Sequence, residues 1–394
     1  MEQILYRYNP WWETEFKAEN IIERPRILEV LKDNLASRQV TILTGLRRVG
    51  KTTLMKQIIR HLIDQRKVDP KLIFYVSLDD YLLTGKSILE IIEEYRKIHR
   101  LNFSEKIFLF LDEVTYQKDF ELQLKNIYDQ QNAKVYASSS SASLLKSRKA
   151  FLTGRNMIVE VLPLDFEEYL QFKKVVIKKT DKHLLKSYFE DFMQVGGMPE
   201  YVLTGNIEYL KELVDDIIQK DIAAFYGVKD VQILKDFFLL LMERAGKVCS
   251  INKIAKILDI SPDSAKRYLQ MFADSYLIFL VPRFGKTNER LLSAKKIYAA
   301  DLGMRVYFTG FRDKGSLLEN YVYLKIKKLN PRYVYQDGNE IDFLTENKTL
   351  IEVKYNSEMP RKQEDLFNNI KAKNKILIRD IFDLDKINEL EKVK

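Results

Sequence analysis

The most specific chemical pattern of the chain lies between residues 40 and 54. A short run of β-branched and apolar residues is followed by G-x-x-x-x-G-K-T and then by residues that favour a helix. Phosphate-binding loops have this order, because the glycines let backbone amides turn toward an anion at the start of a helix. We expect Lys51 to contact the β- and γ-phosphates of a nucleoside triphosphate and the Thr52 hydroxyl to bind Mg²⁺. The residues predicted to bind the nucleotide are Gly45, Arg47, Gly50, Lys51, Thr52 and Thr53.

A second, acidic pattern fits the same chemistry. An apolar run over residues 106–111 closes on Asp112 and Glu113. In ATP hydrolysis an aspartate at such a strand end binds the metal, and the glutamate after it polarises the attacking water. Acidic strand ends are also common in α/β proteins without this chemistry, but the phosphate-loop pattern upstream favours the catalytic interpretation. Asp112 and Glu113 are therefore predicted catalytic residues, with ATP and Mg²⁺ as cofactors.

Two features favour ATP over GTP. A strand is predicted over residues 73–78, between the phosphate-loop strand and the acidic strand, and the acidic strand ends in Asp-Glu. This pattern resembles the AAA+ and related ATPases, which carry a catalytic glutamate next to the metal aspartate. Small GTPases instead depend on a glutamine elsewhere in the chain. The sequence after residue 113 also lacks the Asn/Thr-Lys-x-Asp motif that reads guanine.

Further polar residues extend the predicted site. Ser138 ends the next predicted strand and would lie beside the γ-phosphate, the role called sensor 1. The serines that follow at 139–141 are equally typical of a helix cap, and the two interpretations are compatible. Arg155 is a candidate for the arginine that neutralises charge during hydrolysis, with a neighbouring subunit as one place for it to act. The alternative is an ordinary surface arginine.

The composition is typical of a soluble globular protein. The 394 residues are 46% hydrophobic and 31% charged, and this length predicts two to four domains. The longest apolar runs, such as residues 237–242, are much shorter than a membrane span, and the amino terminus lacks a signal segment. The single Cys249 excludes an intrachain disulfide framework. These features predict a cytoplasmic protein without a membrane partner.

The net positive charge, formally +9, is concentrated in one segment. Between Arg244 and Lys296, eleven lysines and arginines occur with four acids, which indicates a nucleic-acid partner or, alternatively, a solvated basic surface. Residues 250–269 have a helix-turn-helix pattern, with a serine at each predicted helix start. Lys266 and Arg267 would lie on the exposed face of the second helix, which can read a major groove. The same shape also serves protein contacts.

A third group of chemically capable residues lies near the carboxyl terminus. Glu319 falls on a predicted helix, Asp342 on a predicted strand, and Glu352 and Lys354 on the next strand. Glu352 and Lys354 are two residues apart and share one face of their strand. The carboxylates are suitable ligands for a second Mg²⁺ against a phosphate, and Lys354 would orient or activate water.

The strand register decides whether these residues form a site. A two-residue turn at 347–348 would pair Asp342 with Val353 and put Asp342 on the opposite face from Glu352 and Lys354. A three-residue loop or a bulge would pair Asp342 with Glu352 or Lys354 and assemble the site. The alternative is a solvent-facing hairpin with ordinary ion pairs.

Taken in order, these motifs resemble a family of prokaryotic AAA+-type ATPases joined to a carboxyl-terminal domain of unassigned function. The resemblance is carried by the phosphate loop at 45–52, Leu-Asp-Glu-Val at 111–114, the stretch 138–145, Gly154-Arg155, and Leu-Pro-Leu-Asp-Phe-Glu-Glu-Tyr at 162–169. It implies an α/β protein with four parts. These are a P-loop AAA+-type ATPase core over 1–165, a helical lid over 166–230, a winged helix-turn-helix domain over 231–290, and a restriction-endonuclease-like α/β domain over 291–394.

The resemblance also implies roles for particular residues. Pro199, in a Gly-Gly-x-Pro sequence, would lie against the adenine; the alternative is a simple turn between two helices. Glu319, Asp342, Glu352 and Lys354 resemble the PD-(D/E)xK nuclease core, a fold that many proteins keep without the activity. Similar ATPases often form rings, so a homo-oligomer is an open alternative.

Two functions of different classes follow. The first is Mg²⁺-dependent ATP binding and hydrolysis that drives conformational change in a DNA-associated, winged-helix and nuclease-like module. The second is a nucleotide-dependent switch that assembles with protein partners and cuts no DNA. The expected partners are ATP and ADP in both, with DNA in the first and proteins in the second.

Overall fold

Residues 1–15, 21–141 and 154–392 are described by the structure, a computed structural model. They form two compact units, Met1–Leu162 and Pro163–Lys394. Residues 142–145 of the predicted 138–145 motif lie outside the described residues.

The first unit is built on five parallel strands in the order β2-β3-β4-β1-β5. The strands are β1 (Val40–Thr44), β2 (Ile73–Ser77), β3 (Ile107–Asp112), β4 (Ala133–Ser139) and β5 (Asn156–Glu160). Every residue of β1 and β3 is buried, which explains their continuous apolar sequence, because both faces of a parallel sheet are covered. Since β1 has a strand on each side, the loop that follows it begins at the carboxyl ends of the strands and not at a lateral border of the sheet.

Helices cover this sheet. They are α1 (Glu2–Tyr8), α2 (Pro25–Asp33), α3 (Lys51–Asp64), α4 (Ile88–His99) and α5 (Phe120–Gln130), with 3-10 turns at Pro10–Trp12, Asn34–Ala36, Pro70–Leu72, Tyr81–Leu83 and Val114–Tyr116. Helix α4 begins with a capping box between Ser87 and Glu90, which satisfies amides that the first turn leaves without helical partners. Aliphatic side chains of the strands and of α4 and α5 share one core.

The amino-terminal segment covers the edge strand β2. The Asn9 side chain accepts from the amide of Tyr75 at 2.6 Å and donates to its carbonyl at 2.9 Å. The indole nitrogens of Trp11 and Trp12 both donate to the carbonyl of Ile73, at 3.1 and 3.0 Å. The segment therefore satisfies backbone groups that an open sheet edge would expose.

The second unit is richer in helices. They are α6 (Phe166–Phe172), α7 (Leu185–Val195), α8 (Pro199–Thr204), α9 (Glu208–Asp216), which continues as a π-helix over Ile217–Ala224, α10 (Val231–Glu243), α11 (Ile251–Ile257), α12 (Pro262–Asp274), α13 (Thr287–Leu292), α14 (Leu302–Thr309), α15 (Lys314–Ile326), α16 (Arg361–Asn369) and α17 (Asp385–Lys392). Short 3-10 turns lie at Lys179–Leu184, Lys327–Leu329 and Ile381–Leu384.

Two sheets belong to this unit. A two-stranded antiparallel sheet joins β6 (Ile278–Val281) and β7 (Lys296–Ala299), and a four-stranded sheet has the order β11-β10-β9-β8. The strands of the larger sheet are β8 (Arg332–Gln336), β9 (Asn339–Leu344), β10 (Thr349–Val353) and β11 (Asn374–Ile378). The pair β10 and β11 is parallel, and the other neighbouring pairs are antiparallel.

Helices α11 and α12 lie where the helix-turn-helix pattern predicted two helices. The Ser261 hydroxyl accepts from the amide of Ser264 at 3.0 Å, and Pro262 is the first residue of α12. Ser250 precedes α11, but its side chain makes no capping hydrogen bond, so this part of the capping prediction is wrong. The expected domain boundary after residue 290 falls inside the connection between the paired strands β6 and β7.

Among the helices of the described residues, none combines the length and the apolar character needed to cross a membrane.

Candidate functional site

The turn between β1 and α3 has the backbone of a phosphate-binding loop. Gly45 and Gly50 have φ of 141° and 98°, in the region that glycine adopts with little steric cost. A Cβ atom on Gly45 would lie 2.2 Å from the carbonyl oxygen of Val161, so no side chain fits there. Both glycines of the motif are thus required by the conformation of the loop.

Lys51, the first residue of α3, bends back over this loop. Its Nζ donates to the carbonyl oxygens of Gly45 and Leu46, both at 3.0 Å, and lies 3.3 Å from the Ser140 hydroxyl. The side chain is buried and lies at the positive end of the helix dipole. Backbone amides and an ammonium group at a helix start together favour a phosphate anion.

Asp112, at the end of β3, accepts hydrogen bonds from hydroxyl groups on three other elements. Its Oδ2 accepts from Thr52 Oγ1 at 2.6 Å and from the Tyr75 hydroxyl at 2.8 Å, and its Oδ1 accepts from Ser138 Oγ. The two residues predicted to hold Mg²⁺, Thr52 and Asp112, are therefore in direct contact. Oxygen donors of this kind suit Mg²⁺, and neutral hydroxyl groups can rotate when a cation arrives.

Glu113 is held in an unusual backbone conformation beside Asp112. Its φ is 53°, a left-handed value that is uncommon outside glycine and occurs often at functional sites. Its amide donates to Ser138 Oγ at 2.8 Å, and its Oε1 accepts from Ser140 Oγ at 2.6 Å. The other oxygen, Oε2, is buried and has no hydrogen-bond partner among the described residues. A carboxylate oxygen in this state is suited to accept a proton or a hydrogen bond from water.

Sequence reasoning missed two residues of this site, Tyr75 and Ser140. Burial and the neighbouring Asp112 carboxylate raise the pKa of Tyr75 far above its usual value, so its hydroxyl stays a donor. A tyrosine within an otherwise apolar stretch of β2 was the available signal. Ser140 connects Glu113 with Lys51, and it lay in the serine run whose individual roles the sequence did not separate.

The other predicted loop residues lie beside the site. The Arg47 guanidinium donates to the Tyr116 hydroxyl at 2.7 Å, and Thr53 is exposed on the first turn of α3. Their contacts with a nucleotide stay a prediction.

Arg155 lies far from the phosphate loop of its own chain. Its carbonyl accepts from the amide of Val40 at 2.8 Å, which places it at the amino edge of the parallel sheet. The loop begins at the opposite edge, roughly 15 Å away along the five residues of β1. Arg155 Nε pairs instead with Asp129 at 3.1 Å. A catalytic role for Arg155 within its own chain is therefore wrong, and a role in a neighbouring subunit stays a prediction.

The Gly-Gly-Met-Pro sequence forms a tight turn between α7 and α8 in the second unit. The amide of Gly197 donates to Asp301 Oδ2 at 2.6 Å, and a Cβ atom on Gly197 would lie 2.1 Å from the carbonyl oxygen of Leu164. Pro199 is the first residue of α8, a position where its missing amide costs nothing. Its contact with adenine stays a prediction.

The carboxyl-terminal acids are brought together by the register of β9 and β10. Phe343 pairs with Ile351, which places Asp342 opposite Glu352, and the amide of Asp342 donates to Glu352 Oε2 at 3.0 Å. Residues 346–348 form a three-residue loop between the strands. Of the two registers considered above, the chain adopts the one that puts both acids on one face.

A lysine from another strand lies among these acids. Lys296, the first residue of β7, places its Nζ 2.6 Å from Glu340 Oε1, 2.7 Å from Glu319 Oε1 and 3.1 Å from Asp342 Oδ1. Its side chain is only 1% exposed. Sequence reasoning missed Lys296 as part of this cluster, because in the sequence it is one more lysine at the end of a basic segment.

Glu352 has two further partners of its own. Its Oε1 lies 2.9 Å from Lys354 Nζ and accepts from Gln363 Nε2 at 2.7 Å. Burial and the Asp342 carboxylate raise the pKa of Glu352 to about 8. We call the group Lys296, Glu319, Glu340, Asp342, Glu352 and Lys354 the lysine–acid cluster.

Lys266 and Arg267 are both exposed on α12. Lys266 Nζ lies 3.4 Å from the exposed Asp263 carboxylate, a pairing that contributes little in water. Both cations therefore remain accessible, and their contact with nucleic acid stays a prediction.

The parallel sheet, the glycine loop leading into α3 and the Asp-Glu pair at the neighbouring strand end define a P-loop ATPase domain of the AAA type. Residues 37–170 match the family model described as "AAA domain". Residues 186–315 match a model described as "Domain of unknown function (DUF8612)".

The chain belongs to the same family as the uncharacterized protein MJ1544 of Methanocaldococcus jannaschii. The two are 32% identical over 355 residues, which cover 84% of this chain and 78% of that protein. An uncharacterized protein of Haemophilus influenzae is 25% identical over 342 residues, 82% of this chain and 84% of that protein. The solved Walker-type ATPase PABY2304 of Pyrococcus abyssi aligns with 75% of this chain and 98% of its own, at 14% identity and a TM-score of 0.46.

Proposed function

We propose that the chain binds ATP with Mg²⁺ at the phosphate loop and hydrolyses the ATP. One observation carries the proposal: Lys51, Thr52, Asp112 and Glu113 converge at the carboxyl edge of one parallel sheet. Oε2 of Glu113 has no hydrogen-bond partner among the described residues, so this oxygen is available to a water at the site.

Each residue has a distinct part in this reaction. Lys51 and the loop amides would bind the phosphates, and Thr52 and Asp112 would hold Mg²⁺, which neutralises phosphate charge when bound. Glu113 would orient the attacking water through Oε2. Ser140 fixes the other oxygen of that carboxylate, and Ser138 fixes its backbone amide.

Steady-state ATP hydrolysis of the wild type and Glu113→Gln tests this proposal. The change keeps the size of the side chain and removes the proton-accepting oxygen, so kcat should fall at least about a hundredfold while ATP still binds. Glu93→Gln, the same change at an exposed position of α4, is the matched control. A wild type that binds ATP without hydrolysing it, or a Glu113→Gln variant as fast as the control, would contradict the proposal.

We further propose that nucleotide turnover is coupled to DNA through the second unit. The support is local: Lys266 and Arg267 are exposed on the second of two short helices that precede a two-stranded sheet. This arrangement is compatible with a winged helix, in which the second helix contacts DNA. The excess of lysines and arginines over acids between Arg244 and Lys296 favours an anionic partner such as nucleic acid.

The salt dependence of duplex DNA binding tests this second proposal. Changing Lys266 and Arg267 together to Ala should weaken binding and reduce the slope of log affinity against log salt by about two. Changing the exposed Lys229 and Lys328 to Ala removes the same charge elsewhere on this unit and should leave the slope unchanged. If neither affinity nor ATP hydrolysis responds to DNA, the protein-assembly switch becomes the better explanation.

A further inference from the structure

The nuclease resemblance implies a divalent metal at Glu319, Asp342 and Glu352. Mg²⁺ requires near-octahedral oxygen ligands at about 2.1 Å and retains several waters. Within the parts of the chain that the structure describes, no group of three or more carboxylate, imidazole or thiol side chains is placed to hold a metal ion. The implied metal therefore does not fit this cluster.

The reason is the position of Lys296. An ammonium group has three N–H donors, and three carboxylates lie within hydrogen-bond distance of Lys296 Nζ: those of Glu340, Glu319 and Asp342. Contacts of 2.6 to 3.1 Å are typical of charge-assisted hydrogen bonds. The donors of this cation are thus matched one to one by the acids that a metal would require.

The cation is also enclosed. The Lys296 side chain is 1% exposed, and the side chains of Glu319 and Asp342 that contact it are 13% and 9% exposed. The backbone of Lys296 is held in β7 by pairing with β6, so the ammonium cannot leave the cluster by a simple loop movement.

A divalent metal and this ammonium group cannot share the acids. A metal at about 2.1 Å from Glu319 Oε1, which itself lies 2.7 Å from Nζ, would be within about 5 Å of the ammonium. At that distance two unit charges repel by about 3 kcal/mol in a partly buried setting, and a divalent ion doubles the effect. The carboxylates of Glu319, Glu340 and Asp342 that meet at Nζ consequently have room for one cation between them, and the chain supplies it as Lys296.

We propose that Lys296 is the resident cation of the lysine–acid cluster, so that this domain takes no divalent metal there. In this role Lys296 joins β7 to α15 and β9 through ion pairs, and the cluster does not cut phosphodiester bonds. The domain would then use its nuclease-like arrangement of acids to hold its own elements together.

Manganese binding, followed by electron paramagnetic resonance in the absence of nucleotide, tests the proposal. All proteins carry Asp112→Asn, which removes the metal ligand of the phosphate-loop site. The test variant is Lys296→Ala, which leaves the acids in place and opens space for a hydrated ion. The matched control is Lys325→Ala, because Lys325 is also nearly buried and lies 3.4 and 3.3 Å from the carboxylates of Asp165 and Glu167.

The expected result is no detectable Mn²⁺ uptake by the background protein or by Lys325→Ala, and uptake by Lys296→Ala with an affinity at least about tenfold above the detection limit. Circular dichroism establishes that each variant is folded. Mn²⁺ uptake by the background protein that a further Asp342→Asn change abolishes would overturn the proposal, whether or not Lys296→Ala folds. A folded Lys296→Ala variant without Mn²⁺ binding would overturn it as well, and so would Mg²⁺-dependent DNA cleavage by the wild type that Asp342→Ala removes.

Discussion

The chain has two acidic centres, and they differ in where their positive charge comes from. At the end of β3, Asp112 is surrounded by the neutral hydroxyl groups of Thr52, Tyr75 and Ser138. In the lysine–acid cluster, Asp342 contacts the ammonium of Lys296, which is built into the fold. Both centres place an aspartate and a glutamate on neighbouring positions, yet we propose an external cation for the first centre alone.

This difference shows that the motif alone does not determine whether acids form a metal site. Hydroxyl groups satisfy a carboxylate without cancelling its charge, so under our proposal the first centre can still attract Mg²⁺. A buried lysine cancels the charge and uses the same oxygens. The buried, unpartnered oxygen of Glu113 strengthens the contrast, because both oxygens of Glu352 accept hydrogen bonds.

The largest expected effect compares the same change in the two centres. If Asp112 holds the metal as proposed, Asp112→Asn should lower the rate of ATP hydrolysis at least about a hundredfold, because a ligand of the ion that stabilises phosphate charge is lost. Asp342→Asn should leave the rate within about twofold of the wild type, since Asp342 belongs to the second unit and the phosphate loop to the first. Steady-state phosphate release at saturating ATP measures both. Equal losses in the two variants would break the comparison.

Removing the resident cation should reduce stability strongly. Lys296→Met leaves three carboxylates without their buried partner, and breaking such an arrangement costs about 3–5 kcal/mol. Urea unfolding, monitored by circular dichroism, gives the change in the free energy of unfolding. Lys328→Met, at an exposed position, should cost less than about 0.5 kcal/mol. A similar small cost for Lys296→Met would show that the acids do not depend on its charge.

A smaller effect is expected for the serine that holds Glu113. Ser140→Ala removes the hydrogen bond to Glu113 Oε1, so kcat should fall about tenfold with little change in the KM for ATP. Ser139→Ala is the neighbouring control, because the Ser139 hydroxyl contacts the backbone of Ser141 instead. Equal rates for the two variants would mean that Ser140 does not position the carboxylate.

The smallest effect concerns Asp301, a buried acid stabilised by backbone amides. It accepts from the amides of Gly197 and Met304, but burial dominates and raises its pKa to about 6. A pKa above the unfolded value means that the folded chain binds this proton more tightly. The free energy of unfolding of the wild type should therefore rise by about 1 kcal/mol relative to that of Asp301→Asn as the pH falls from 7 to 5. Urea unfolding at both pH values measures this, and a constant difference would refute it.

The two centres were also unequally accessible to sequence reasoning. Lys51, Thr52, Asp112 and Glu113 could be predicted because each lies in a short contiguous motif whose chemistry depends on local order. Tyr75 could not, because it reaches Asp112 from 37 positions away through the packing of β2 against β3.

In the second centre, the acids could be predicted from the sequence, but the register that brings them together could not. The position of Asp342 opposite Glu352 depends on one residue of loop length, which hydrophobic pattern does not determine. Lys296 lies 46 residues before Asp342, and only the tertiary fold brings them together. For a related reason the sequence left the position of Arg155 open, since proximity to a motif in sequence does not say which edge of a sheet a residue occupies.

Counting Mn²⁺ ions on the wild-type chain with and without a non-hydrolysable ATP analogue tests the distinction between the two centres most directly. We predict one tightly bound Mn²⁺ per chain that requires the nucleotide and is lost in Asp112→Asn, and none without nucleotide. A second Mn²⁺ that binds without nucleotide and disappears in Asp342→Asn would contradict the distinction between the two centres.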